Sequence, residues 1–124
     1  MKILIQNGRV IDPASGLDKV CNVALAAGRI IAVDREPKDF TPSRVIDAGG
    51  CLVLPGLVDL AARLREPGHE HERMLESEMA AAVAGGVTSL VCPPDTDPVL
   101  DEQGLVEMLK FRAEKLHQSR LFPL

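Results

Sequence analysis

The chain has 124 residues and a formal net charge of −4, with a pI near 5.3; its Lys and Arg residues are scattered, which argues against a nucleic-acid-tracking surface. Hydrophobic residues at 46% and charged residues at 26% place it with globular domains rather than disordered chains. No apolar run approaches the roughly 18 residues that span a bilayer, and Met1-Lys2 opens on a strand-like segment rather than a signal peptide, so a cytoplasmic protein with no membrane partner is expected.

In chain order, the first elements are short β runs separated by turn residues. Lys2–Gln6 and Arg9–Ile11 flank Asn7-Gly8, a strong hairpin signal. The turn-rich 12–16 segment follows. Val20–Leu25 and Arg29–Val33 flank Ala27-Gly28 as a second hairpin, and Arg44–Asp47 and Cys51–Leu54 flank Ala48-Gly49-Gly50 as a third. Residues 1–54 therefore read as a small all-β unit.

From residue 55 the pattern changes. Leu57–Leu60 is a short apolar run with one acid, as in a strand buried on both faces of a parallel sheet. Residues 72–84 carry Leu75, Met79, Ala82 and Val83 at helical spacing and stop at Gly85-Gly86. Val87–Val91 reads as a strand, Pro93–Pro98 as a loop, Leu105–Leu116 as an amphipathic helix and Arg120–Leu124 as the start of a third strand. Met74, Met79 and Met108 sit at core spacing. Strand, helix, strand, helix, strand implies βαβ units around a parallel sheet, giving an α/β chain with residues 55–124 as its second part. A closed eight-stranded barrel takes about 250 residues, so the expected chain is a truncated piece, about one third of such a barrel. Cys21, Cys51 and Cys92 are widely spaced and odd in number, and read as small buried thiols rather than a disulfide framework or a zinc knuckle.

The motifs have a consistent order. A β-rich start ending in a Gly-Gly turn is followed by Pro55-Gly56-Leu57-Val58-Asp59, Leu64-Arg65-Glu66-Pro67-Gly68, Ala84-Gly85-Gly86-Val87-Thr88 and Pro93-Pro94-Asp95-Thr96-Asp97-Pro98. This order resembles the dihydroorotase branch of the amidohydrolase superfamily along the whole chain, and Leu-Arg-Glu-Pro-Gly favours that branch over the hydantoinases. The resemblance implies an N-terminal segment of a small β-sandwich, residues 1–54, and the first βαβαβ part of a metallo-dependent-hydrolase TIM barrel, residues 55–124.

In that family the first barrel strand ends in His-x-His, whose imidazoles bind a zinc ion that polarises an amide carbonyl and activates water. The corresponding positions here are Ala61 and Arg63. Alanine has no donor atom, and a guanidinium has no lone pair and brings positive charge to where a dication would sit. No zinc, or only weak zinc, is therefore expected, and no catalytic residue is assigned. His69-Glu70-His71 has the right spacing but follows Pro67-Gly68 in a loop, so two solvated histidines near a helix N-terminus, with His71 or Glu72 near the cap, is the simpler reading. The family's carboxylate-binding Arg is matched by Arg65, but Asp95 replaces the Asn of its Pro-Asn-Thr loop. That substrate-binding pair is thus vestigial, and Asp95 is expected to turn to Arg63 or Arg65 as an internal ion pair. Asp59 reads as a structural acid at the strand end.

These changes resemble the non-catalytic dihydroorotase-like subunits of pyrimidine (UMP) biosynthesis, which stabilise aspartate carbamoyltransferase. Its catalytic subunit is the implied partner, and self-association into a homo-oligomer stays open. The alternative is an active zinc amidohydrolase, a dihydroorotase opening a cyclic amide with ligands outside this chain.

Overall fold

A computed structural model describes residues 1–69, 71 and 74–124. The expected helix start at Glu72 and the middle of His-Glu-His, Glu70, lie outside the described residues. Chain contacts define two compact units, Met1–Pro55 and Gly56–Leu124.

The first unit is one sheet built on β1, Lys2–Asp12, with β2, Leu17–Ala26, β3, Arg29–Val33, β4, Arg44–Asp47, and β5, Leu52–Val53. The order is β3-β2-β1-β4, and β5 pairs with β1 beyond β4. The Ala27-Gly28 hairpin forms, with both residues at positive φ, 50° and 72°. Two other expected hairpins do not. Asn7-Gly8 is an irregularity inside one continuous strand, where the β1–β2 register shifts between Ile5 and Gly8. Asn7 takes the positive φ of 63°. Gly8 serves close approach, since a Cβ there would lie 2.5 Å from Val53 Cγ2. The turn joining β1 to β2 falls instead at Pro13–Gly16, where the Asp12 carboxylate accepts from Ala14 N–H at 3.1 Å and Ser15 Oγ at 2.6 Å. The third hairpin is replaced by two parallel pairings along β1: β4 beside Ile3–Gln6 and β5 beside Arg9–Val10. Val10, Cys21 and Val23 form the small core of this unit.

Asn7 Nδ2 and Gly49 N–H each donate to Asp47 Oδ1 at 3.0 Å. With the Asn7 amide as the larger cause, they hold the Asp47 carboxyl below its ordinary value of 3.8. A carboxyl depressed on folding contributes stability that is present above its unfolded value and lost as pH falls through the folded one. Asp47→Asn is therefore expected to lower stability near neutrality and to flatten the acid side of the profile, so that variant and wild type converge as pH falls below the folded value. Unfolding midpoints recorded from about pH 6 to about pH 3 test this, and an acid slope identical to wild type would refute it.

The second unit has three parallel strands, β6, Leu57–Asp59, β7, Val87–Cys92, and β8, Arg120–Pro123, in that spatial order. Helix α1, Leu75–Ala84, joins the first two and α2, Gln103–Lys115, the second two. Gly85 caps α1, and Gly86 takes a φ of 81°. Leu75 and Met79 are fully buried and pack with Leu90, Cys92, Leu109 and Leu121. Gly56 lets β6 approach β7, since a Cβ there would lie 2.1 Å from Thr88 Oγ1.

Three burial expectations need correction. Leu57, Val58 and Leu60 are exposed, because no described element covers β6. Of the three methionines at core spacing only Met79 is buried; Met74 precedes the helix and Met108 is on the outer side of α2. Cys51 is exposed, whereas Cys21 and Cys92 are buried. Among the described residues no helix is long and apolar enough to cross a membrane.

Candidate functional site

The residues singled out in the sequence gather where β6 and β7 end. β6 stops at Asp59, one residue earlier than expected, so Ala61 and Arg63 lie in the segment that follows it. Main-chain pairing nevertheless continues, because Ala62 N–H donates to Val91 O at 2.9 Å. Asp59 Oδ1 accepts from Ala61 N–H at 2.9 Å, a local turn bond that gives this acid the structural role expected of it.

Arg63 and Asp95 are brought together. Arg63 Nε lies 3.1 Å from Asp95 Oδ2, with the side chains 74% and 46% exposed. The anticipated ion pair thus forms with Arg63, but on the surface of this chain rather than inside it. Beside it is a depression of about 250 Å³ bordered by Asp59, Arg63, Glu78, Ala82 and Leu90. Arg65 is exposed, and its main chain is anchored: Arg65 N–H donates to Glu78 Oε2 at 3.0 Å.

The side chains at the implied ligand positions do not suit a metal. Ala61 offers no donor, and Arg63 presents a cation already matched to a carboxylate. The His69 and His71 rings are 5.9 Å apart and tilted by 51°. Among the described residues no third His, Cys, Asp or Glu joins them in a candidate metal cluster.

The largest feature that sequence reasoning missed is Glu66. It is 1% exposed, although it lies in a loop motif where a solvated carboxylate would be the ordinary reading. Its Oε2 accepts from Leu75 N–H at 3.1 Å, so it satisfies the first turn of α1, whose N-cap Met74 provides no side-chain hydrogen bond. Its Oε1 pairs with the Arg112 guanidinium from α2. Arg112 Nη2 also lies 3.8 Å from Glu76. One buried carboxylate therefore ties the segment after β6 to both helices. The only signal in the sequence was the acid inside Leu-Arg-Glu-Pro-Gly.

The second loop is built for contact with the first. Asp97 N–H donates to Pro67 O at 3.3 Å. Gly68 sits at a φ of 104°, and a Cβ there would lie 1.8 Å from Asp97 O. Thr96 is buried and donates through Oγ1 to Pro98 O at 2.9 Å. Burial is the main cause that raises the Cys92 thiol pKa at the end of β7, and its sulfur donates to Pro93 O at 3.4 Å. Cys92 thus behaves as a packed thiol rather than a nucleophile.

Comparison with known proteins follows the same lines. A family described as dihydro-orotase-like matches residues 50–124. A dihydroorotase-like protein of Pseudomonas putida is 48% identical over 124 residues, covering 100% of this chain and 29% of that protein. A dihydroorotase of Pelobacter propionicus is 42% identical with the same coverage. The chain thus spans under a third of the length of these relatives. Among solved structures, the L-hydantoinase (dihydropyrimidinase) of Arthrobacter aurescens superimposes with a TM-score of 0.76 at 26% identity, over 90% of this chain and 24% of that one. The expected α/β architecture, a β-sandwich segment followed by the first βαβαβ part of a TIM barrel, is the one observed, and it forms a portion of those larger folds.

Proposed function

The chain belongs to the dihydroorotase-like family, and from that premise we propose that it is part of a non-catalytic, cytoplasmic dihydroorotase-like subunit of pyrimidine biosynthesis that serves as structural partner to the catalytic subunit of aspartate carbamoyltransferase. The observation that carries this reading is Arg63 in an ion pair with Asp95 beside Ala61. In the family pattern those positions hold two zinc-binding imidazoles and a neutral carboxylate-binding amide. Here one is an alanine and the other two are an opposed cation and anion. The pair neutralises Asp95, while the pattern's other substrate contact survives only as Arg65. A side-chain set of this kind supports a retained fold more readily than retained hydrolysis.

A second reading is favoured by the 42% identical relative that is itself named a dihydroorotase. On that reading the intact protein is a zinc amidohydrolase using ligands outside residues 1–124. The two are separated by purifying the intact protein with and without aspartate carbamoyltransferase. The scaffold reading expects co-elution and no dihydroorotase turnover; turnover abolished by a chelator would reverse it.

A further inference from the structure

The segment after β6 and the loop after β7 run alongside each other. Ala62 N–H bonds to Val91 O and Asp97 N–H bonds to Pro67 O. Gly68 packs directly on Asp97 O. Every one of these contacts involves the main chain on at least one side. The Arg63–Asp95 pair lies between them and joins the two segments through opposite charges.

A metal bound by one strand end and its neighbours has two effects: it activates water, and it holds the ends of several strands together. The side chains at 61 and 63 cannot provide the first. We propose that the Arg63–Asp95 pair provides the second, acting as an electrostatic latch that closes the segment 61–68 against the loop 93–98. The metal comparison rests on the ligand positions used in the proposed function, whereas the latch is a statement about two side chains and has its own readout.

An exposed pair is worth little in isolation and is screened by salt. A latch of this kind therefore acts on local opening rather than on global unfolding. Amide hydrogen exchange on the intact protein reads this directly. Arg63→Ala is expected to speed exchange across residues 61–68 and 93–98 by about threefold, as loss of an exposed pair would, with β1–β5 unchanged. Asp95→Ala should do the same. The double variant should be no faster than either single one, and the charge swap Arg63→Asp with Asp95→Arg should recover part of the protection. Raising salt from about 0.1 M to about 1 M should speed exchange in wild type but not in the double variant. Multiplicative effects of the two single substitutions, or a wild type insensitive to salt, would overturn the latch. Turnover and metal content measured on the same preparation report on the scaffold reading separately, so failure of one is not mistaken for failure of the other.

Discussion

Arg112→Met is expected to destabilise the barrel portion by about 3 kcal/mol, the low end of the range for removing one partner of a buried ion pair, because the Arg112 side chain is 39% exposed while that of Glu66 is buried. The reason lies with the residue left behind. Glu66 is 1% exposed, and its Oε1 has Arg112 as its cation. Methionine preserves much of the aliphatic stem and helix propensity of arginine, so packing and local helicity change little. What remains is a carboxylate out of water and without its counter-charge. Glu66→Gln is expected to cost less, about 1–3 kcal/mol, because it also removes the charge. The double variant should then be more stable than Arg112→Met alone, since neutralising both partners avoids the stranded charge. Denaturant unfolding of the four proteins checks this. If Arg112→Met and Glu66→Gln simply add, the pair is not a coupled buried unit.

Glu66 also marks the limit of what the sequence could disclose. Helices α1 and α2 and strands β7 and β8 were legible because apolar spacing and the Gly85-Gly86 stop are local signals, and local signals survive in any context. The Ala27-Gly28 hairpin was legible for the same reason. Asn7-Gly8 carries an equally strong local signal but sits inside β1, where β2 runs alongside and Val53 occupies the space above Gly8. Tertiary neighbours there turned a hairpin signal into an irregularity. β4 and β5 are legible as strands, but adjacency in sequence favours pairing them with each other, and nothing in Arg44–Val53 announces that β1 is the shared partner. The site shows the same division. Arg63 and Asp95 could be paired from charge and motif position, but their exposure follows from what covers the strand ends. The burial of Glu66 depends on an arginine far downstream on α2.

Restoring the family's ligand pair is expected to have the largest effect of all. Structural zinc sites bind with roughly 10–16 kcal/mol spread over about four ligands, so each ligand contributes about 3 kcal/mol. Two imidazoles at 61 and 63 should therefore raise zinc affinity on the order of 10⁴-fold in the intact protein. Removing the Arg63 charge works in the same direction, since a guanidinium at that position repels a dication at short range. The variant Ala61→His with Arg63→His also frees Asp95 from its partner at 3.1 Å. A third change, Asp95→Asn, returns that loop to the family pattern and removes the stranded carboxylate. Ala61→His alone is a useful intermediate: with Arg63 still present it supplies one donor beside an opposing charge, and little gain is expected. Competition with a chromophoric chelator measures the affinities across wild type, the single variant and the reverted protein. A wild type that binds zinc as tightly as the reverted protein would show that Arg63 does not oppose the metal, and the scaffold reading would fall with it. A steep gain only when both histidines are present would mean that the barrel still offers a metal its remaining ligands, and that Ala61 and Arg63 are what keep it out.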